Sequence, residues 1–408
     1  MKKTIAWAAL LALLLCALAG CGGAAAGTAT EAPQETAAET FAPQMAGPED
    51  GEPGRPASSS TGEALTDEEM NYDMGLPDFD IGYAKFAPET RVMTVNGIEY
   101  DWSSYFNALR QSIYSLYLYY VASSLDAPSQ CYNGAIVGDI ARGSAISQIK
   151  RIGMLYSKAE ELGISLTEKD HAAIDEAIEN QMDLYEGGRD AMFESLGVSE
   201  DYYRLVMGAN RLYTRLFEHF FGEDGALLPE ADAIAYISDN DMYYAKHILF
   251  KTVDDTGTSL GEEAVTAART RAEETLETLR AAGAAALPAK FDELMNALSE
   301  DQGLNSYPDG YFFREGEMVE EFFETAAALK EGELSDIVRS PYGYHIIYRP
   351  ALSAGAVYGV DPYGTPYTLR YHVADELYAA MQDEWYDTLD VTFEGDFETL
   401  DVVKLFEA

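Results

Sequence analysis

Cysteine is nearly absent. Of three in 408 residues, Cys16 and Cys21 fall in the first 21 and leave Cys131 alone in the rest of the chain. If Cys16 leaves with a signal peptide and Cys21 is acylated, no intramolecular disulfide is expected, so a buried core must hold the protein, and the length permits one. A lone cysteine reads as a small apolar residue rather than a catalytic thiol. Basic residues are also scarce: 27 Lys and Arg face 70 Asp and Glu, a formal charge of −43. That balance argues against nucleic acid and anionic lipid as partners. It equally fits a solvated acidic surface and one that favours basic unfolded segments. Of the five histidines, His171, His219 and His372 stand isolated. No phosphate-cradling glycine loop is present, so neither a metal nor another cofactor is expected. Beyond the N-terminal segment no apolar run is long enough to cross a bilayer.

What is present begins at the N-terminus. Lys2 and Lys3 precede an apolar run from Ile5 to Ala19, the pattern of a secretory signal. The run closes on Leu18-Ala19-Gly20-Cys21, which resembles the bacterial lipobox. That resemblance implies a signal peptide over 1–20 and acylation of Cys21, placing the protein on the extracytoplasmic face of the cell membrane without a spanning helix. Residues 21–88, rich in Ala, Gly, Pro, Thr, Ser and Glu, read as a disordered linker with an end-to-end distance of about 40–50 Å.

A helical domain is expected over 89–238. Alternating apolar residues around Asn96-Gly97 predict a short hairpin. Helical spacing follows over Ser104–Ser123 and Ile140–Leu162, then after Thr167 and after Ser199, with a short helix from Pro229 toward Ile237. From Tyr243 the pattern changes. Ala245–Phe250 predicts a strand with Ala245, His247 and Leu249 on one face. Helices over Glu262–Ala282 and Lys290–Leu298, a Gly/Asn/Pro loop, a helix over Met318–Leu329 and strands at Ile337–Arg339 and Tyr344–Tyr348 complete it. Ser340-Pro341-Tyr342-Gly343 suits a tight turn between the last two.

That order, with the wording Ala245-Lys-His-Ile-Leu-Phe250, Leu298-Ser-Glu-Asp301, Gly316-Glu-Met-Val-Glu-Glu-Phe322 and Tyr342-Gly-Tyr-His-Ile-Ile347, resembles the parvulin (PpiC-type) prolyl isomerases. Within them the chain resembles the exported PrsA-like foldase lipoproteins, related to the SurA chaperones. The resemblance implies an α+β chain: a parvulin-type domain over 239–350, a small antiparallel sheet with surrounding helices. It would be inserted in a mainly helical SurA/PrsA-like chaperone domain, to which 351–408 returns. Ala374–Leu389, with Leu377, Met381 and Trp385 at four-residue spacing, is the expected returning helix.

The activity implied is peptidyl-prolyl cis-trans isomerisation in unfolded or newly exported polypeptides bearing X–Pro bonds; the resemblance also allows a homodimer. By residue, it implies a proline cup at Met318 and Phe322, paired histidines at His247 and His345, and a carboxylate near the rotating carbonyl at Asp301. Ser340 and Tyr342 would line the pocket from the turn. Read from spacing alone, Met318 and Phe322 fit a core stripe, the histidines fit satisfied core groups, and Asp301 fits a loop cap. Two departures thin the cup: Val319 replaces a glutamine common in the family, and Ser306–Tyr311 replaces a Gly-Gly-Asp-Leu-Gly loop whose leucine walls the pocket. Tyr311 and Phe313 are candidates to take its place. Lys251 is followed by Asp254 and Asp255, which does not suit a phosphorylated substrate. The alternative function is a holdase with a weakly active or inactive parvulin fold. A solute-binding lipoprotein would need two α/β lobes, which this pattern lacks.

Overall fold

The computed structural model describes residues 76–407 apart from 121–128, 130 and 133–134. The expected signal peptide, Cys21 and most of the linker lie outside the described residues. The end of the expected linker does not: Phe79–Tyr83 is a short helix (α1), and Phe79 packs edge-on against Phe106 and Phe406. Phe86 meets Trp102 at 4.8 Å between ring centroids. These aromatics pack on the body together with Leu76, so residues 76–88, expected as linker, belong to the body.

The hairpin forms as expected, with β1 (Arg91–Val95) and β2 (Ile98–Asp101) joined through Asn96 and Gly97 at φ 48° and 83°. Two successive positive φ values give the turn whose twist matches paired strands, and Asn-Gly tolerates them best. The helices follow: α2 (Trp102–Tyr120), α3 (Val137–Glu161), α4 (Glu168–Met182), α5 (Gly188–Leu196), α6 (Glu200–Phe221) and α7 (Glu230–Asp239). A two-residue ladder, β3 (Cys131–Tyr132) with β4 (Ala135–Ile136), precedes α3. Thr167 and Asp170 form a reciprocal capping box at the start of α4, and Ser199 caps α6. Helix α5 has no counterpart in the expected pattern.

The second unit is a four-stranded antiparallel sheet in the order β6-β5-β8-β7, from β5 (Tyr243–Lys251), β6 (Tyr311–Phe313), β7 (Glu333–Arg339) and β8 (Gly343–Arg349). Helices α8 (Glu262–Ala281) and α9 (Leu287–Leu298) cover one face, where Phe291, Met295 and Leu276 pack on Ile248, Phe250 and Ile346. Helix α10 (Glu320–Ala328) covers the other, with Phe322 and Ala326 against Ala245, Phe313 and Ile347. Strand β5 is therefore buried on both faces, and its period of two sends Ala245 and His247 toward α10. Strand β6 was not expected; it lies inside the stretch read as a loop. Helix α10 starts two residues later than expected, so Met318 sits on the approach to the helix rather than in its first turn.

The chain then returns. A hairpin of β9 (Val357–Val360) and β10 (Pro366–Thr368) leads into α11 (Leu369–Asp387), β11 (Val391–Phe393) and α12 (Val402–Leu405). Leu369, Val373, Ala374 and Tyr378 of α11 enter the same core as Trp102, Leu109, Ile149 and Leu216. Met381 and Trp385 pack against that core as expected, but Leu377 is exposed. The buried stripe runs through Ala374 and Tyr378, one position away from the one read. Strand β11 pairs antiparallel with β1, adding a third strand to the N-terminal hairpin. The whole is an α+β protein in which a sheet module interrupts a mainly helical body.

An aromatic stack and two hydrogen bonds are among the contacts that join module to body. Tyr358 of the hairpin stacks between Phe312 of β6 (4.8 Å, 22°) and His372 of α11 (3.7 Å, 15°), and Phe312 stacks in turn on Tyr244 (4.4 Å, 14°). The Val360 N–H donates to the Ser306 carbonyl at 3.1 Å, and Arg314 Nε donates to the Asn240 carbonyl at the same distance.

Candidate functional site

The site lies where β5 and β8 face α10. The register sets His247 opposite Ile347 and His345 opposite Leu249. The two histidines are thus diagonal neighbours on one face, with rings 5.3 Å apart and nearly parallel. Their Nδ1 atoms are 3.0 Å apart. His247 Nε2 reaches Asp301 Oδ2 at 2.8 Å, and His345 Nε2 reaches Ser340 Oγ at 2.7 Å. Ser340 Oγ accepts the Tyr342 N–H at 3.1 Å. At the other end the Tyr311 hydroxyl donates to Asp301 Oδ2 at 2.5 Å, and the Gly303 N–H donates to Oδ1 at 3.0 Å.

One proton on each ring satisfies every atom in this chain. The Asp301 carboxylate can only accept, so His247 carries its proton on Nε2. Its bare Nδ1 then accepts from His345 Nδ1–H, and His345 Nε2 accepts from the Ser340 hydroxyl. The tautomers follow from the partners. The electrostatics agree. Burial works to raise the Asp301 carboxyl, but the hydrogen bond and charge attraction of His247, with the bonds from Tyr311 and Gly303, outweigh it and hold it at about 2. Burial and the neighbouring His247 push His345 down to about 3, which keeps that ring neutral. Burial and Asp301 together raise the Tyr311 phenol, so it stays a donor.

An apolar patch stands against this chain. Met318, Phe322 and Phe313 belong to one cluster with Ala245, Ile347 and Val319. The Phe322 ring lies edge-on 5.1 Å from His247 and 5.8 Å from His345, and Phe313 lies 5.6 Å from Phe322. Met318 and Val319 are partly exposed, whereas Phe322 is buried. Of the anticipated residues, the structure brings together His247, Asp301, His345, Ser340, Met318 and Phe322. Tyr342 contributes its backbone, while 53% of the residue is exposed. Asp301 also caps the short 3-10 turn Gln302–Asn305, so its structural and site readings hold at once. Phe313 lies inside the cluster and Tyr311 packs against it. The bond from Tyr311 to Asp301 was not foreseen, and Gly303 carries its trace: a Cβ there would meet the Tyr311 hydroxyl at 2.0 Å.

An apolar patch over a hydrogen-bonded histidine pair, on a four-stranded antiparallel sheet, defines a parvulin-type module. Residues 247–351 match the PPIC-type PPIASE domain of the rotamase family, so this chain carries a domain of that class. The chain is similar to the foldase protein PrsA of Bacillus subtilis, 46% identical over 59 residues, or 14% of this chain and 20% of that protein. It is also similar to the PrsA foldase of Staphylococcus aureus, 28% identical over 179 residues, 43% of this chain and 50% of that protein. Chaperone SurA of Nitrosospira multiformis is 32% identical over 107 residues, 26% of this chain and 21% of that protein. The chain thus spans between a fifth and a half of these relatives' length. The crystal structure of PrsA from Bacillus subtilis aligns with 65% of this chain and 82% of its own, at 21% identity and a TM-score of 0.24.

Proposed function

We propose that this protein is a peptidyl-prolyl isomerase and foldase for exported polypeptides, held outside the cytoplasm by a lipid on Cys21. The observation that carries the reading is the Met318–Phe322–Phe313 patch set against the closed His247–His345 pair. Rotation about an X–Pro bond meets a barrier of about 18–20 kcal/mol, because the amide loses resonance at the twisted midpoint. A site lowers that barrier by binding the twisted state more tightly than either planar one. In this reading Met318 and Phe322 seat the proline ring and strip water from the imide, which removes the solvation that favours the planar, more polar amide. Asp301 and the histidines set the field beneath the carbonyl, with no covalent step. Ser340 and the Tyr342 backbone fix the far histidine. We take 239–350 as the isomerase domain, with 89–238 and 351–408 as the chaperone body.

Independence from phosphate fits the loop after β5. Lys251 Nζ is paired with Asp255 at 2.7 Å beside Asp254, so the cation in this loop already has a carboxylate partner and acidic neighbours that would repel a phosphate. One observation favours the holdase alternative: both Asp301 oxygens are already engaged by the protein.

The test is acceleration of cis-trans exchange in an unphosphorylated X–Pro peptide, followed by NMR. Met318→Ala, at a partly exposed position, should lower kcat/KM about tenfold or more with the fold unchanged by circular dichroism. Suppression of client aggregation by the full chain without any acceleration would leave the holdase reading in its place.

A further inference from the structure

The hydrogen-bond chain through the histidines ends on two groups, Ser340 at one side and Tyr311 at the other. We propose that Tyr311 is a positioning residue of this site: its hydroxyl closes the carboxylate end of the chain and so holds the two histidines in one tautomeric state.

Four observations converge. The hydroxyl lies 2.5 Å from Asp301 Oδ2, the same oxygen that takes the His247 proton. With Gly303 on Oδ1, the carboxylate is fixed in orientation and has little accepting capacity left. Second, the phenol is held from behind. Tyr311 is paired with Ala245 in β6, and its ring lies 5.5 Å from His247 and 5.1 Å from Tyr307. Third, the preceding turn is pinned, because Asp309 is ion-paired to the buried Lys246 and its carbonyl accepts from the Tyr244 hydroxyl. Fourth, the space exists only because residue 303 has no side chain; a methyl group there would sit on the hydroxyl.

The chemistry follows from the chain's direction. Two donors on Oδ2 make it a weaker base than a carboxylate oxygen with one. Its pull on the His247 proton is moderated, and the neutral pair runs in one direction from Ser340 to Asp301. Remove the hydroxyl and Oδ2 regains basicity, which stabilises an added proton on the imidazole pair. The added proton enters at His345 Nε2, whose bond to Ser340 then reverses, and the proton already held between the two Nδ1 atoms shifts toward His247, beside the carboxylate. Asp301 and Arg339 are the charged groups that bear on the pair, and Tyr307 bears on it through Tyr311.

With five histidines in the chain, selective 15N-histidine labelling of the full-length protein can follow both rings. In the unmodified protein at neutral pH we expect the proton on Nε2 in His247 and on Nδ1 in His345. Tyr311→Phe keeps the ring and removes the donor. The midpoint at which the pair takes up its first extra proton should rise by about one pH unit, tenfold in proton concentration. The acid limb of the kcat/KM profile should move with it. An unchanged midpoint in a folded Tyr311→Phe protein overturns the proposal, as does a rate loss with no shift in the profile, which would mark a packing role alone. Should Tyr311→Phe fail to fold, Gly303→Ala displaces the phenol instead and must raise the midpoint too; no rise there overturns the proposal. The rate measurement rests on the isomerase reading, whereas the imidazole measurement does not. A shifted midpoint in a protein without isomerase activity would sink that reading and leave the role of Tyr311 standing.

Discussion

Lys246 shows how much one residue on β5 can carry. It points to the face opposite the histidines and is only 6% exposed, with its ammonium between Asp292 of α9 (2.8 Å) and Asp309. Burying an ammonium is costly unless it is paired, and removing one partner strands the other. Here the acids keep access to water, so the loss should fall below that of a fully buried pair. Lys246→Ala is expected to cost about 2 kcal/mol, read as a lower urea midpoint with an unchanged slope. Neighbouring residues differ in how plainly the sequence announces them. His247 and His345 are legible through the wording shared with the parvulins, Ala245-Lys-His-Ile-Leu-Phe250 and Tyr342-Gly-Tyr-His-Ile-Ile347; by spacing alone they read as satisfied core groups. Tyr311 is not, because its role depends on a hydroxyl finding Asp301 across a turn, and neither spacing nor composition encodes that meeting.

At the scale of elements, periodicity and caps made the long helices legible. Thr167 and Ser199 sit immediately before α4 and α6, where side-chain oxygens take up free N–H groups. What escaped was short or tertiary. Helix α5 has only nine residues behind two glycines, and β6 has three residues between turns, too few for a period to show. The segment 353–366 is rich in Gly, Tyr and Pro, and its hairpin takes much of its support from Phe312, His372 and Ser306 rather than from its own pattern. The capping box offers a direct test. Burial works to raise the Asp170 carboxyl, but bonds from the Thr167 hydroxyl and N–H and from Arg215 outweigh it and hold it below its ordinary 3.8. A carboxyl depressed in the folded state contributes stability above 3.8, and that contribution fades as pH falls through the lower folded value. Thr167→Ala should therefore cost about 1 kcal/mol at neutral pH. The gap from the unmodified protein, measured by urea unfolding, should narrow below pH 4.

At the scale of the molecule, the sheet module and the helical body are coupled through the stack Tyr244–Phe312–Tyr358–His372 and the Val360–Ser306 bond. Aromatic contacts of this kind contribute about 0.5–1.5 kcal/mol each beyond the area they bury. Tyr358→Ala removes two of them together. Calorimetry of that variant should resolve two unfolding transitions, with faster proteolytic cleavage between 351 and 368; a single transition at an unchanged temperature would show that the stack does not couple the two units. The order of synthesis gives the pairing of β1 with β11 a further meaning. Thr94 and Thr392, whose hydroxyls are 2.6 Å apart, are separated by 298 residues, and the body's core is incomplete until α11 arrives. Non-local closures of this kind form late, after their loop entropy has been met. The sheet module, whose strands all lie within 243–349, can complete itself while the body still waits for its last helix and strand. During that interval the apolar residues that α11 covers stay open to solvent, so under the proposed function this chain would pass through the same condition as its clients.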